Sequence, residues 1–543
     1  MKKNFSKVSA ALATAFLALT AQATIKSEAV PGEYVVRLKQ NVIRANSITE
    51  LSNQLQAYVK STIPGQNIIV VKKPVFQTED SAIQALKANV NVEFAEPNYI
   101  YRINRVPNDA MFGQLWGMNN AGQTDTAGQV GTAGVDINVE KAWDIQTGTK
   151  DKIVAVIDTG IDYTHPDLKD NMWTNDAEVN GKAGVDDDGN GFIDDIYGIN
   201  AITGTGDPKD DHGHGSHCAG TIGAKGNNGT GVAGVNWDVR LMAVKFLDKD
   251  GSGTLENAIK GIDYATKMGA KVLSNSWGGG SFSQNLQDAI QRSNDAGALF
   301  IVAAGNDYND NDVTPTYPAS YPVSNVVAVA AIDNQGNKAD FSNYGKTSVH
   351  VAAPGVNIVS TTGGVYESFS GTSMATPHVA GVAALIWANE PNLTAHEIKS
   401  RLIATVHPMT NLRGKIISGG RIDAYAALTN TVAPPDPNDP SNWPSTPISY
   451  QSDHPYAANV NQTYEINVPG AAQIALYFAT FDTETKYDTV SLYDSAGTLV
   501  QTLSGLNNDS FSLPITGSYA KLVFKSDNSV QHNGWSITKA AYR

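Results

Sequence analysis

Between residues 153 and 330 the chain repeats one pattern, a short and almost unbroken apolar run followed by a stretch of helical spacing. The runs are residues 153–157, 241–246, 272–275, 299–303 and 326–330, with helical patterns at 254–268 and 283–296. A strand with one wet face alternates apolar and polar residues, so a run that stays apolar must be buried on both faces. Such runs joined through helices point to an α/β fold, a doubly wound parallel sheet covered by helices on both sides. Sheets of this kind carry their functional groups beyond the carboxyl ends of the strands.

Three motifs suit that position. Val154-Ala-Val-Ile-Asp158-Thr-Gly160 is a buried strand that finishes in a carboxylate. Asp211-His-Gly-His214-Gly-Ser-His217-Cys-Ala-Gly220 and Gly371-Thr-Ser373-Met-Ala-Thr-Pro-His378-Val-Ala-Gly381 supply an imidazole and a hydroxyl among small residues. A serine hydroxyl is a weak nucleophile until an imidazole removes its proton, and a carboxylate behind the imidazole fixes its tautomer and stabilises its charged form. These types suit Ser373 as nucleophile, His214 as general base and Asp158 as the orienting acid. Ser373 is expected to open a helix, with its N–H and the positive end of the dipole beside a developing oxyanion. Taken singly, an Asp at a strand end is a cap or an ion-pair partner and a His is structural; the joint pattern is what points to catalysis. His165, His217 and His378 are expected to be structural, and Cys218 a small buried apolar residue beneath the histidine. Zinc on His212, His214 and His217 would lack the H-E-x-x-H spacing and leave Ser373 without a role.

The three motifs resemble those of subtilisin-like serine proteases over about residues 109–429, in the chain order Asp, His, Ser that subtilisin has. Cys218 after His217 is similar to the proteinase K branch. The resemblance implies a serine endopeptidase acting through an acyl-enzyme intermediate, with Asn306 of Ile301-Val-Ala-Ala-Gly-Asn306 as the second oxyanion donor. It implies substrate contacts along two backbone edges, Gly251-Ser252-Gly253 and Ser276-Trp277-Gly278, between which an extended peptide adds as a strand. Ala303, Ala304, Gly305 and Thr316 would line the S1 pocket. Their small size suits a sizeable apolar side chain, whereas Asp307 at the rim suits a basic one. Trp277 departs from the small aliphatic residue usual at its position and leaves the subsite preference open.

The chain opens with Lys2, Lys3 and Lys7, an apolar run to Thr20 and the small-residue site Ala21-Gln22-Ala23, the order of a secretory signal peptide. Residues 24–105 alternate strand patterns (33–38, 68–71, 92–95) with helical ones (48–60, 80–87). They resemble the propeptide-inhibitor domain of subtilisin-like proteases. That resemblance implies an α+β unit that templates folding and leaves its tail in the active site, with cleavage between Tyr101 and Asn108. A net charge of −14 argues against nucleic-acid or anionic-membrane partners. The expected partners are protein or peptide substrates and the chain's own propeptide, and the mature protein is expected to be a secreted monomer.

A single cysteine excludes an internal disulfide, so bound calcium is the expected substitute. Asp186-Asp-Asp188-Gly-Asn190-Gly-Phe192-Ile-Asp194 begins like a calcium loop, with oxygen ligands at positions one, three and five, glycine at six, a carbonyl at seven and a carboxylate at nine. Position twelve is Tyr197, so the bidentate ligand comes from elsewhere or is absent; the alternative is a solvated acidic loop. The family resemblance implies a second site at Asp109, Asp167 and Asn228. A proline-rich stretch at 431–447 reads as an extended, semi-rigid linker between the catalytic domain (106–430) and residues 448–543. There, period-two segments at 463–468, 474–478, 490–493 and 520–524 read as an all-β sandwich. With Gly534-Trp535 this region resembles a CUB domain without disulfides, which implies calcium at Glu484, Asp488 and Asp527; the plainer alternative is a sandwich whose acids are merely exposed.

Overall fold

The computed structural model describes residues 29–543 apart from 41, 43–47, 64, 75–76, 101–105 and 436. The signal-peptide reading at 1–23 and most of the expected cleavage junction therefore lie outside the described residues. Contacts divide the chain into two units, Met1–Ile103 and Asn104–Arg543.

In the first unit, strands β1 (Ala29–Leu38), β2 (Tyr58–Ile63), β3 (Ile68–Lys72) and β4 (Val92–Tyr99) form an antiparallel sheet in the order β2-β3-β1-β4. Helices α1 (Ile48–Leu55) and α2 (Glu79–Ala88) accompany it. Val36, Leu38, Ile69, Val71 and Leu86 make its core. The single helix expected over 48–60 is corrected: it stops at Leu55, Gln56 takes a left-handed conformation, and Tyr58–Ile63 joins the sheet. The aromatic and β-branched residues Tyr58, Val59, Thr62 and Ile63 favour a pleated surface, and Val59 pairs with Val71.

The second unit is built on a nine-stranded sheet. In chain order, strands β5 (Gly148–Asp158), β6 (Gly198–Asn200), β7 (Asp238–Lys245), β8 (Val272–Asn275), β9 (Leu299–Ala303), β10 (Val326–Ile332) and β11 (Val351–Pro354) run parallel. The order is β14-β15-β11-β10-β9-β8-β5-β7-β6, where β14 (His407–Pro408) and β15 (Gly420–Arg421) close one edge as an antiparallel pair. The alternation along the second half of β5 shows why residues 153–157 are apolar without a break. Val154 and Val156 enter one core, Ile153, Ala155 and Ile157 the other. Helices α6 (Leu255–Lys267) and α7 (Gln284–Asp295) cover the second core, while α5 (His214–Gly223) and α8 (Thr372–Asn389) cover the first. Both α6 and α7 start on a hydroxyl cap: the Thr254 Oγ1 accepts the Asn257 N–H, and the Ser283 Oγ the Leu286 N–H. Shorter helices α3 (Val139–Trp143), α4 (Asp176–Val179), α9 (Ala395–Ala404) and α10 (Ala424–Thr429) complete this part.

Residues beyond 445 form two antiparallel sheets. One runs β16 (Ser445–Gln451), β24 (Gly534–Tyr542), β18 (Gln473–Asp482), β21 (Ser510–Phe511); the other runs β17 (Asn461–Asn467), β23 (Tyr519–Lys525), β19 (Thr489–Tyr493), β20 (Leu499–Leu503). Ile466, Phe478, Leu522, Phe524 and Trp535 fill the space between them. The extended linker expected up to Pro447 ends sooner. Pro440–Asn442 form a 3₁₀ turn, and β16 starts at Ser445. Trp443 causes this: its ring lies under the Arg543 guanidinium at 4.7 Å and its Nε1–H donates to the Pro437 carbonyl at 2.7 Å. The sandwich also meets the larger sheet's domain directly, through Lys346–Asp509 at 3.5 Å, and Arg413 pairs with Asp439 of the linker at 2.8 Å.

Candidate active site

Asp158 is the last residue of β5, His214 the first of α5 and Ser373 the second of α8, all at the carboxyl side of the parallel sheet. The His214 Nδ1 lies 2.7 Å from the Asp158 Oδ1, and Asp158 is fully buried. The Thr159 N–H donates to the same oxygen at 2.7 Å. Burial by itself would lower the pKa of His214, but the charges of Asp158 and Asp210 outweigh it and hold the imidazole above its ordinary value.

Asp210 is a residue that sequence reading missed. Its Oδ1 accepts the His212 and Gly213 N–H groups and the Thr159 hydroxyl; its Oδ2 accepts the Ser216 N–H and hydroxyl. One buried carboxylate thus ties the loop before His214 to the first turn of α5 and to the residue after Asp158. Asp211, inside the motif, turns instead to the buried Lys245 Nζ at 2.6 Å.

Ser373 is shaped by Pro377. In a helix the Ser373 carbonyl would accept the N–H of residue 377, which proline lacks. Two side chains from elsewhere supply donors: the Ser276 hydroxyl at 2.8 Å and the Cys218 thiol at 3.5 Å. Cys218 is fully buried, and that burial pushes its thiol well above the ordinary range. It is small and apolar in packing, as expected, with the added contact to the nucleophile candidate's backbone. The Ser373 hydroxyl donates to the Ser276 carbonyl at 3.0 Å.

Asn306 follows β9. Its Oδ1 accepts both the N–H and the hydroxyl of Thr372, each at 2.9 Å. With its oxygen held by two donors, the amide must direct Nδ2 the other way. A Cβ placed on Gly371 would lie 3.5 Å from Ser373 N and 3.7 Å from Asn306 Nδ2, so glycine at 371 keeps open the space between two donors. Ala303 and Ala304 are buried beside them, and Thr316 closes the same wall through its hydroxyl, which donates to Asn311 Oδ1 at 3.0 Å.

The edges expected to hold substrate border one cleft of ≈ 690 Å³, lined by Ser252, Gly253, Ser276, Trp277 and Gly278 together with His214. Trp277 packs against Phe246 with ring centroids 4.8 Å apart, so its bulk forms part of the cleft's apolar side. Among the described residues the three histidines weighed for zinc form no common ligand group; His214 is grouped instead with Asp158 and Cys218. His217 gives its Nε2 to the Ile358 carbonyl at 2.9 Å and stacks on Phe369. Burial pushes His217 down to about 3 and His378 to about 4, which keeps both neutral.

Acidic clusters that could hold a metal ion lie elsewhere. In the 186–194 loop, Asp186 and Asp188 meet Glu178 of α4, with oxygens within 4.8 Å of one another. Glu178, eight residues before the loop, is absent from the sequence reading and brings a third carboxylate to this group. Asp194 is turned out of this group, both oxygens accepting the Gly184 N–H, while the Asn190 Oδ1 accepts the Phe192 N–H. At the second expected site, Asn228 donates to Asp167 at 2.8 Å and the Asn227 N–H to Asp109 at 2.6 Å. The other oxygen of Asp109 is buried without a partner, and burial, followed by the nearby Asp167, raises its pKa. In the sandwich Glu484, Asp488 and Asp527 converge, Tyr456 donates to Asp488, and the Glu484 Oε2 is buried without a partner.

The model of the subtilase family matches residues 149–433, that of the fervidolysin N-terminal prodomain residues 18–98, and that of the CUB domain residues 443–538. A thermophilic serine proteinase of Bacillus sp. (strain AK1) is 36% identical over 408 residues, 74% of this chain and 89% of that protein. Thermitase of Thermoactinomyces vulgaris is 40% identical over 293 residues, 54% of this chain and 93% of that protein. Subtilisin-like protease 1 of Plasmodium berghei is 41% identical over 298 residues, 52% of this chain and 50% of that protein.

Proposed function

This chain belongs to the subtilase family of serine proteases and carries an N-terminal prodomain and a CUB domain, and on that premise we propose that it is a secreted, self-maturing endopeptidase whose catalytic triad is Asp158, His214 and Ser373. The observation that carries this reading is the 2.7 Å contact between the buried Asp158 carboxylate at the end of β5 and His214 at the start of α5, with Ser373 opening α8 and its carbonyl held by Cys218, four residues after His214. The Ser373 hydroxyl leaves the Ser276 carbonyl by rotation about its Cα–Cβ bond and passes its proton to the His214 Nε2. Its Oγ then attacks the scissile carbonyl carbon, and the electron pair of the C=O collects on oxygen between the Ser373 N–H and the Asn306 Nδ2. Collapse of that intermediate expels the amine, which takes the proton back from His214. Water, activated by the same imidazole, then releases the acyl group and restores Ser373. The substrate lies between the Ser252–Gly253 and Ser276–Gly278 edges, with its P1 side chain beside Ala303, Gly305 and Thr316.

Maturation is a cut between the prodomain (24–105) and the catalytic domain (106–430), after removal of the signal peptide at 1–23; the linker follows from 431 and the CUB-like domain from Ser445, where its first strand begins. A fluorophosphonate, which phosphonylates activated serines with loss of fluoride, is the direct test. It is expected to label the tryptic peptide holding Ser373 and no peptide of the Ser373→Ala protein. Labelling elsewhere, or none in an enzyme that cleaves casein, would end the assignment.

The clusters fit calcium by the chemistry of their donors, hard carboxylate and amide oxygens. Glu178, Asp186, Asp188 and Asn190 would hold one ion, Asp109, Asp167 and Asn228 a second, and Glu484, Asp488 and Asp527 a third. The ions would neutralise the converging carboxylates and join segments that a chain with no disulfide otherwise leaves unlinked. Because a ligand of the folded state stabilises it by about 2.7 kcal/mol at a hundred times its Kd, EGTA is expected to lower the Tm by several degrees. A zinc-selective chelator is expected to leave activity intact; scanning calorimetry and a peptide assay distinguish the two. An unchanged Tm in EGTA would remove calcium from the account.

A further inference from the structure

We propose that Asn343 is a positioning residue that sets the oxyanion donor and the S1 wall together, an inference that rests on the reading of Asn306 as that donor. Asn343 is fully buried and lies in the loop after β10, 37 residues beyond Asn306. It grips both peptide groups that flank Asn306. The Asn343 N–H donates to the Gly305 carbonyl at 2.9 Å, and the Asp307 N–H donates to the Asn343 Oδ1 at 2.8 Å. With the peptide planes before and after the Asn306 Cα both tied to one residue, the two backbone torsions that aim its side chain are held. A third bond, from the Asn309 N–H to the same Oδ1 at 2.9 Å, fastens the loop beyond.

The other end of the amide reaches the pocket wall. The Asn343 Nδ2 has the Ala304 carbonyl at 3.2 Å, the Asn311 Oδ1 at 3.1 Å and the Thr316 Oγ1 at 3.2 Å. Asn311 in turn donates to the Ala304 carbonyl at 2.8 Å. Gly305 records how tightly this amide sits: its φ is +114°, and a Cβ there would fall 2.3 Å from the Asn343 Nδ2. The site needs an acceptor facing 307 and 309 and a donor facing 304, 311 and 316. A primary amide offers both on one short side chain, which neither a carboxylate nor a hydroxyl does. Asn343 reaches no substrate atom itself; it acts through Asn306 and the wall.

The test is a double-mutant cycle on kcat. Each protein is matured in trans by immobilised wild-type enzyme, so that low activity does not prevent processing. Asn306→Leu alone is expected to lower kcat by about 10²–10³, the cost of an oxyanion donor. Asn343→Ala alone is expected to lower kcat by about 10- to 100-fold, because a misaimed group costs up to about 10², and to raise KM for substrates whose P1 side chain fills the pocket, because the wall is released with it. Combined, they are expected to lose no more than Asn306→Leu does by itself. Asn343→Asp sets a carboxylate oxygen against the Ala304, Asn311 and Thr316 oxygens, whose repulsion pushes the side chain off the Asp307 N–H; it is expected to lose kcat similarly and serves if the alanine protein does not fold, as judged by Tm. If Asn306→Leu leaves kcat unchanged, the oxyanion reading fails. If it lowers kcat and the Asn343 losses multiply with it in full, or if folded Asn343 variants keep wild-type kcat, the positioning role alone is overturned.

Discussion

Replacing Ser373 by alanine is expected to abolish peptide hydrolysis, by on the order of 10⁶ in kcat, the scale of the corresponding loss in subtilisin, and to leave the chain uncut between Tyr101 and Asn108. The two effects have one cause. If the prodomain's tail is the first substrate, the nucleophile that cleaves other proteins also frees the enzyme. Little else changes with the substitution. The Ser373 hydroxyl makes one hydrogen bond, to the Ser276 carbonyl, while the Ser373 backbone stays fixed by Ser276 and Cys218. The variant should therefore fold and accumulate as a precursor of normal Tm. The comparison is the mass of the product from a protease-deficient host, read beside turnover of a short chromogenic peptide. A correctly cut Ser373→Ala protein from such a host would show that another protease makes the cut.

Much of the catalytic fold is legible in the chain because burial on two faces leaves little freedom in composition. The runs at 272–275 and 299–303 match β8 and β9 residue for residue, since Leu273 and Phe300 fill one core while Val272 and Leu299 fill the other. Where one long-range contact decides the structure, the local pattern misleads. Trp443 ends the linker early because Arg543, a hundred residues on, covers its ring. The amphipathic spacing over 48–60 breaks at Gln56 because Val59 finds Val71.

The candidate site divides in the same way. Asp158, His214 and Ser373 stand in motifs whose neighbours are small for close approach, and those motifs are visible in one dimension. Asp210, Glu178 and Asn343 do their work through backbone groups brought to them by folding. A lone acid or amide gives no hint of the five contacts at Asp210, the six at Asn343 or the three N–H groups that meet Glu178. Asp211 was singled out with its motif, yet the residue that organises the turn is its neighbour. The acid missing from position twelve of the loop that starts at Asp186 was the one signal that pointed outward, and Glu178 is the carboxylate that folding brings to Asp186 and Asp188.

Asp158→Asn is expected to keep the geometry and lose about 10⁴ in kcat, as the same exchange does in another triad. An amide cannot stabilise the imidazolium that forms when His214 takes the serine proton, and it admits the wrong tautomer of the ring. The pH profile gives a second reading of the same change. His214 acts as a base only when neutral, so activity appears as pH rises through its pKa, which in the wild type stands above the ordinary 6.5. Burial opposes that elevation, and the charges of Asp158 and Asp210 produce it. Removing the Asp158 charge leaves burial opposed by Asp210 alone, so the pKa of His214 must fall. The acid limb of kcat/KM should accordingly move to lower pH in the variant, even as the plateau drops. A substitution that merely loosened the fold would lower the plateau and leave the limb in place. Rates for a short peptide between about pH 5 and 9, with calcium held constant, separate these outcomes. A limb that does not move would mean that Asp158 orients the ring without tuning it, and a plateau within tenfold of wild type would remove Asp158 from the triad.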